Sequence, residues 1–479
     1  MYRIVPDVGG KPLYEDEAVA GLISVRPLGE VLETVMVDRG GAPLHFVFAH
    51  GVFWLDSSAE ALRWLSVVCA VVAVPLCFDL GRRLGGTAAG IAAAAVAASS
   101  TALAIYGSFG RMYALYVLLA ALAADLFVRA LKLRTRNAVI AAAAAAWLLP
   151  AVHPYGAIPA AVELVVAVVI WRWRAWPFGI AAVAAVPFLL ADLRLVDRAE
   201  VGEDGSSLAG PGDAWGELVA ALSSFAGGDG IPLLALTSLA VLGIVLLFEK
   251  QPAAAVLAVS VVVPPLLFVL IPAGSEPDLS PRHLFYGLPL WAAAIGVAAA
   301  RVGHVVVVAA VLFAVVSPAS GLRDPRELGL LPEEAAASLR AGPNDLLVPY
   351  ATPFLASLDS VRQSLALPQG PGEEIVATLE HADEPIGAVH IALPREEWTV
   401  ETLRGPFGKD EALRAAARRV ATAPHPQDLD WWYELVGRGL NDAVSRYTAA
   451  PWQVNESSWR WRSARDVVPP IHVACGATG

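Results

Sequence analysis

The chain has 479 residues, 56% of them hydrophobic and 16% charged, with a mean hydropathy of +0.57 and a net charge of −11. Soluble globular chains carry about 25% charged residues, so this composition excludes an ordinary soluble protein, and the acidic balance excludes a nucleic-acid binder, which needs a basic face. Cys69, Cys77 and Cys475 give no disulfide framework, and the first two fall in one apolar run, where they act as small buried hydrophobes.

Residues 1–61 begin with two short helices. Glu15-Asp16-Glu17-Ala18 heads the first, which runs to Val25. Pro27 opens the second, with Leu28, Val31, Leu32, Val35 and Met36 on one face and Glu30, Glu33 and Asp38 on the other. Such a helix lies in the membrane interface or packs on neighbouring spans. Gly40-Gly41 ends it. The stretch from Pro43 to Leu55 is apolar but only 13 residues long. It is too short to span and suits a half-inserted or juxtamembrane helix.

Ten apolar runs follow, long enough for spans: 62–81, 86–105, 111–131, 138–152, 155–171, 176–192, 231–248, 252–272, 284–300 and 303–318. Alternate connections carry Arg82 and Arg83; Arg129, Lys132, Arg134 and Arg136; Arg172 and Arg174; Lys250; and Arg301. The positive-inside rule places these in the cytoplasm. The remaining connections, 106–110, 153–154, 193–230 and 273–283, then face outward, and 193–230 is rich in acids. Residues before 62 and after 318 also fall outside the cytoplasm. Residues 1–61 hold no signal peptide, since no apolar run follows Met1. An upstream in-frame extension of about 20–30 residues, carrying a basic-flanked apolar helix, is therefore expected.

From 319 to 479 Pro, Gly and charges rise and spans cease. Asp345-Leu-Leu-Val-Pro and Ile386 to Leu393 read as buried strands, and 411–420 and 430–444 as helices. The expectation is an extracytoplasmic α/β domain. Trp431, Trp432, Tyr433, Trp452, Trp459 and Trp461 serve its core or touch sugar and headgroups.

Four outward segments carry candidate chemistry. Asp16 or Glu17 can act as general base on an acceptor hydroxyl or bind a cation; equally, acids suit a solvated helix N-terminus. Arg111 and Tyr113 stand where a lipid phosphate sits, and Arg pairs with phosphate through two parallel bonds; an interfacial Arg snorkelling to headgroups fits as well. Arg282 and His283 open a later span, and Arg63 opens the first.

Taken together these segments resemble the polyprenyl-phosphate-dependent GT-C glycosyltransferases, of the protein mannosyltransferase and aminoarabinose transferase type. Asp16-Glu17-Ala18 matches the family's first-loop acidic motif, and Gly41-Ala-Pro-Leu-His45 is a degenerate form of its His-Pro-Pro-Leu-Tyr segment. Ala61-Leu-Arg-Trp-Leu-Ser66 and Gly81-Arg-Arg-Leu-Gly85 resemble the next span and its turn. Arg111-Met-Tyr-Ala-Leu115 matches an Arg-x-Tyr-x-Leu signature, and His153-Pro-Tyr155 and Pro281-Arg-His-Leu-Phe resemble later segments. The likeness covers roughly 1–300. Relatives often carry Glu where Phe109 stands, and a first span precedes their acidic loop.

The resemblance implies an α-helical multi-pass protein of GT-C type in the plasma membrane. Its parts are an acidic loop with juxtamembrane helices at 1–61, a transmembrane domain at 62–318 and an extracytoplasmic α/β domain at 319–479. It implies transfer of a mannose-like sugar from a polyprenyl-phosphate donor to an unidentified protein, lipid or glycan on the outer face. Asp16 is the expected base with Glu17 second, and Arg63, Arg111, Tyr113, Arg282 and His283 bind the donor phosphate. No metal-ligand constellation is visible, although an acid-bound divalent cation is compatible. Two other classes fit less of the sequence: a lipid or solute transporter, for which Glu163 and Asp125, the latter able to pair with Arg129 four residues on, are too few intramembrane acids, and a non-catalytic scaffold for the C-terminal domain.

Overall fold

In a computed structural model the described residues are 5, 8, 15–24, 27–38, 41–56, 59–197, 211–268 and 279–316, with short C-terminal segments between 346 and 475. The chain divides into two compact units, one of 1–9 and 27–322, the other of 10–26 and 323–479.

The first unit is helical. Helices α2 (Leu28–Asp38) and α3 (Leu44–Leu55) precede α4 (Ala59–Gly85), α5 (Thr87–Ser99) and α6 (Thr101–Tyr106). Then come α7 (Tyr113–Leu133), α8 (Arg136–Val152), α9 (Ala157–Trp171), α10 (Trp176–Asp197), α11 (Pro211–Ala226) and α12 (Ile231–Lys250). Broken turns α13 (Pro252–Val259) and α14 (Val263–Phe268) lead to a 3₁₀ segment, Pro281–Gly287, and to α15 (Leu288–Val302) and α16 (His304–Val316). Helix α1 (Glu15–Ser24) belongs to the second unit.

Within the described residues each of the ten runs read as spans is largely helical. Among the described residues, five helices are by length and composition fit to cross a membrane: Glu60–Gly85, Tyr113–Leu133, Pro154–Leu193, Ile231–Lys250 and Pro281–Val302. Pro154–Leu193 joins two of the sequence segments and turns at Arg172, which has a left-handed φ of 52°. The other apolar helices, such as Thr87–Ser99 and Arg136–Val152, are shorter. The protein is thus a multi-pass membrane protein.

Helix contact depends on small residues rather than on hydrophobic force, which lipid cancels. Helices α4, α5, α7 and α15 form the centre, with α8 and α12 packed outside them. A Cβ on Gly296 would lie 2.2 Å from the Ala89 carbonyl oxygen of α5, and one on Gly243 would lie 1.9 Å from that of Ala294. Only glycine permits those two approaches. Pro75, Pro150 and Pro187 lie inside helices, which membrane bundles tolerate when neighbours satisfy the freed carbonyls.

Two local findings differ from the sequence reading. Asp125 pairs with Arg83 of α4 at 2.6 Å, rather than with Arg129 one turn along its own helix. The neighbouring helix offers a guanidinium from the side, and burial of the carboxylate (6% exposed) demands that partner. The connection 193–230 holds a 16-residue helix, α11. Its buried Ala214, Leu218, Ala221 and Phe225 recur at helical spacing, a signal masked by the surrounding acids and glycines. In α2, Val31, Thr34 and Val35 are buried, while Leu28 and Leu32 stay exposed alongside Glu30 and Glu33.

In the second unit β1 (Leu346–Val348) runs parallel to β2 (Ile386–Leu393), which pairs antiparallel with β3 (Thr399–Phe407). Ile386, Val389 and Ile391 are buried on β2. His390 Nδ1 lies 2.9 Å from the Thr402 hydroxyl across the pair, and Arg419 holds Glu401 of β3 in an ion pair. The segment 430–444, half of 411–420 (the described half is helical), and the aromatic residues apart from Trp452 lie outside the described residues; Trp452 is in a two-residue strand paired with Ala474–Cys475.

Candidate functional site

Three turns of the first unit meet at one end of the bundle: the connection from Tyr106 to Tyr113, the turn from His153 to Gly156 after α8, and the 3₁₀ segment Pro281–Gly287. The first is short. The Arg111 amide bonds the Phe109 carbonyl at 2.7 Å, and the Arg111 carbonyl accepts from Ser66 of α4 at 3.4 Å. Arg111 is thereby presented at the head of α7.

The second turn is built by its own residues. His153 ends α8 in an extended conformation, and its Nδ1 accepts from the Tyr155 amide at 3.3 Å. Gly156 closes the turn, since a Cβ there would lie 2.2 Å from the Leu149 carbonyl oxygen. In the third turn Ser280 and His283 form a reciprocal cap, with the Ser280 amide donating to His283 Nδ1 at 3.2 Å. Both histidines thus accept at Nδ1. In a neutral ring that leaves Nε2 carrying the proton, as a donor.

Aromatic contacts bind the turns together. Tyr155 stacks on His283 at 4.6 Å, His153 lies 5.2 Å from His283, and Tyr116 stacks on His153 at 4.9 Å. Tyr113 packs edge-on against Tyr106 at 4.8 Å, and Phe285 lies 5.0 Å from Tyr106. The Arg282 guanidinium sits over the Tyr113 ring at 5.8 Å, a geometry that steadies a cation in a site of low dielectric.

The charges of these turns act on one another. His153 is pushed well below the ordinary histidine range, first by burial and then by its neighbours His283, Arg282 and Arg111. His45 of α3, on a helix too short to span, is 1% exposed. Burial, and then the Arg111 charge, pull it down to about 3, against a weaker upward pull from the Gly110 backbone. Arg111 therefore acts on both histidines, which stay neutral beside it.

Of the sequence-predicted residues, Arg111, Tyr113, Arg282 and His283 come together here. Arg63 is fully buried on α4, one turn before Ser66, and its guanidinium donates to the Val8 carbonyl at 3.4 Å. Asp16 and Glu17 lie on α1 in the second unit. Glu17 is fully buried, and the Asp16 side chain lies outside the described residues. The cluster also contains three residues not singled out as phosphate ligands, His45, His153 and Tyr155. Their signal was present in the segments Gly41 to His45 and His153-Pro-Tyr155. Among the described residues no group of three or more His, Cys, Asp or Glu is arranged to hold a metal ion.

No family model and no curated protein matches the chain. Among solved structures it is similar to ArnT from Cupriavidus metallidurans. The apo form aligns with a TM-score of 0.45 at 17% identity, over 63% of this chain and 58% of that one. The form bound to undecaprenyl phosphate aligns with a TM-score of 0.45 at 14% identity, over 63% and 59%. The alignment spans under two thirds of the ArnT chains, and a likeness at this level assigns no activity.

Proposed function

We propose that the protein is a GT-C-type glycosyltransferase that moves a mannose-like sugar from a polyprenyl-phosphate donor to an acceptor at the outer face of the membrane. The observation that carries this reading is the convergence of Arg111, Arg282, His153 and His283 on an aromatic cluster at one end of a membrane bundle. Such a site suits an anionic headgroup whose tail stays in lipid. Two guanidinium groups supply charge, and two histidine Nε2–H groups supply neutral donors aimed by their Nδ1 bonds.

The chemistry follows from the donor. The acceptor hydroxyl attacks the anomeric carbon as the bond to the phosphate oxygen breaks, and the electron pair leaves with the polyprenyl phosphate. The acceptor proton goes to a carboxylate, for which Asp16 is the first choice and Glu17 the second. Phosphate is a good leaving group, so no general acid is needed, and Phe109 at the position where relatives often carry Glu is no obstacle. Fixed cations at the departing oxygens favour the transition state most where water is excluded. Arg63 supports this end of the bundle from α4. A divalent cation, if one takes part, would bind the carboxylates.

Purified protein incubated with polyprenyl-phosphate mannose and an envelope extract as acceptor tests the reading. Release of polyprenyl phosphate, lost in the Arg111→Ala variant, supports it. A donor that is bound and left intact under every acceptor condition counts against a transferase and favours a transporter.

A further inference from the structure

The ends of α7 and α8 opposite the candidate site enclose a second feature. Arg134 follows the last residue of the helix that Tyr113 begins, so the two regions are separated by about 30 Å, the length of that helix. There a cavity of about 770 Å³ is lined by Arg134, Arg136, Arg172 and Arg174 together with Trp171, Trp173 and Trp176. Among the described residues none of those lining it is acidic.

Its construction goes beyond arginines marking a membrane side. Arg134 and Arg172 have φ of 54° and 52°, the left-handed region that glycine takes at lower cost. Each caps a helix end, bonding the Ala130 and Val168 carbonyls respectively. Arg136 lies over the Trp176 ring at 5.8 Å and Arg174 over that of Trp173 at 5.5 Å. The four arginines are exposed around this open-mouthed cavity, and cations held on aromatic faces in this way make a receptor for an oxyanion.

The surroundings identify the source of that anion. On α9, within two turns of Arg172, Val165, Val169 and Ile170 are 61%, 73% and 42% exposed. Trp173 and Trp176, exposed at the mouth, sit where indole rings mark the water–lipid boundary. A soluble anion would leave this apolar strip unused. We propose that the cavity binds the headgroup of an anionic phospholipid. Its phosphate is held by Arg172 and Arg174 with Arg134 and Arg136 alongside, and its acyl chains lie along α9. The site is separate from the glycosyl-transfer reading and stands or falls without it.

The test uses the full chain, purified in detergent, with bound lipids counted by native mass spectrometry. The probes are phosphatidylglycerol and phosphatidylcholine at equal concentration. Wild type should retain phosphatidylglycerol about tenfold more strongly than phosphatidylcholine. The double variant Arg172→Gln/Arg174→Gln should lose that preference, and Arg82→Gln/Arg301→Gln, which removes the same charge from other arginine-bearing connections, should keep it. Equal retention of the two lipids by wild type overturns the proposal. So does equal loss in both double variants, which would mean bulk charge, or full displacement by millimolar inorganic phosphate, which would mean a free-anion site. If the first double variant does not fold, Arg172→Lys and Trp176→Ala serve instead. They leave the site cationic but remove the guanidinium fork and the stacking surface, and each should weaken phosphatidylglycerol retention; unchanged retention in both overturns the proposal.

Discussion

His45 makes the electrostatics of the cluster measurable. Its ring is buried beside Arg111 and its pKa falls from 6.5 to about 3. Below pH 6.5 the unfolded chain binds a proton at this position that the folded chain does not. The stability associated with the neutral ring is therefore fully present above 6.5 and is lost as the pH falls toward 3. At pH 5 a single such group costs about 2 kcal/mol relative to pH 8. His153 is shifted in the same direction and adds to the loss. Replacing His45 with Gln removes its share. Thermal unfolding of wild type and His45→Gln, each at pH 8 and pH 5, gives two pH-dependent drops to compare. The variant's drop should be smaller by about 2 kcal/mol, or about 2 °C in Tm for a chain of this size. A phosphate-bearing lipid in the cluster should shrink the wild-type drop, because an anion favours the charged ring. Equal drops in the two proteins would refute both the burial of His45 and its coupling to Arg111.

Asp16→Asn should remove transfer while leaving expression and insertion intact, since a lost general base costs on the order of 10²–10⁴ in rate; activity within about threefold of wild type would move the base elsewhere. Arg282→Ala should raise the donor KM by about 10- to 150-fold, from a charge-assisted bond of about 1.5–3 kcal/mol. Arg282→Lys should fall between, keeping charge but losing the fork; Lys behaving like Ala would point to stacking rather than phosphate binding.

The bundle was legible because membrane physics writes itself into runs of apolar residues, and each run is largely helical over its described residues. Helix α11 was hidden because its buried positions, Ala214, Leu218, Ala221 and Phe225, are spaced through an acidic stretch that reads as a loop. Arg111, Tyr113, Arg282 and His283 could be found by their place at span ends. His45 and His153 could not be ranked beside them, because a histidine's part depends on which groups its ring meets, and those come from helices distant in sequence. Asp125 shows the same limit. Local spacing offered Arg129, and packing supplied Arg83 from another helix. The arginine–tryptophan cavity was visible only as positive-inside charge until the left-handed backbone at Arg134 and Arg172 gave it shape.

Polyprenyl phosphate is common to every donor of the proposed class, so its binding tests the central claim without knowledge of the sugar. Titrating it against purified wild type and the Arg111→Ala/Arg282→Ala variant, with a neutral polyprenol as control, is the most direct measurement. The account predicts saturable binding to wild type, loss of at least about 100-fold in affinity in the variant, and no comparable binding of the polyprenol. Equal affinity of the two proteins, or equal binding of the phosphate and the alcohol, would contradict it.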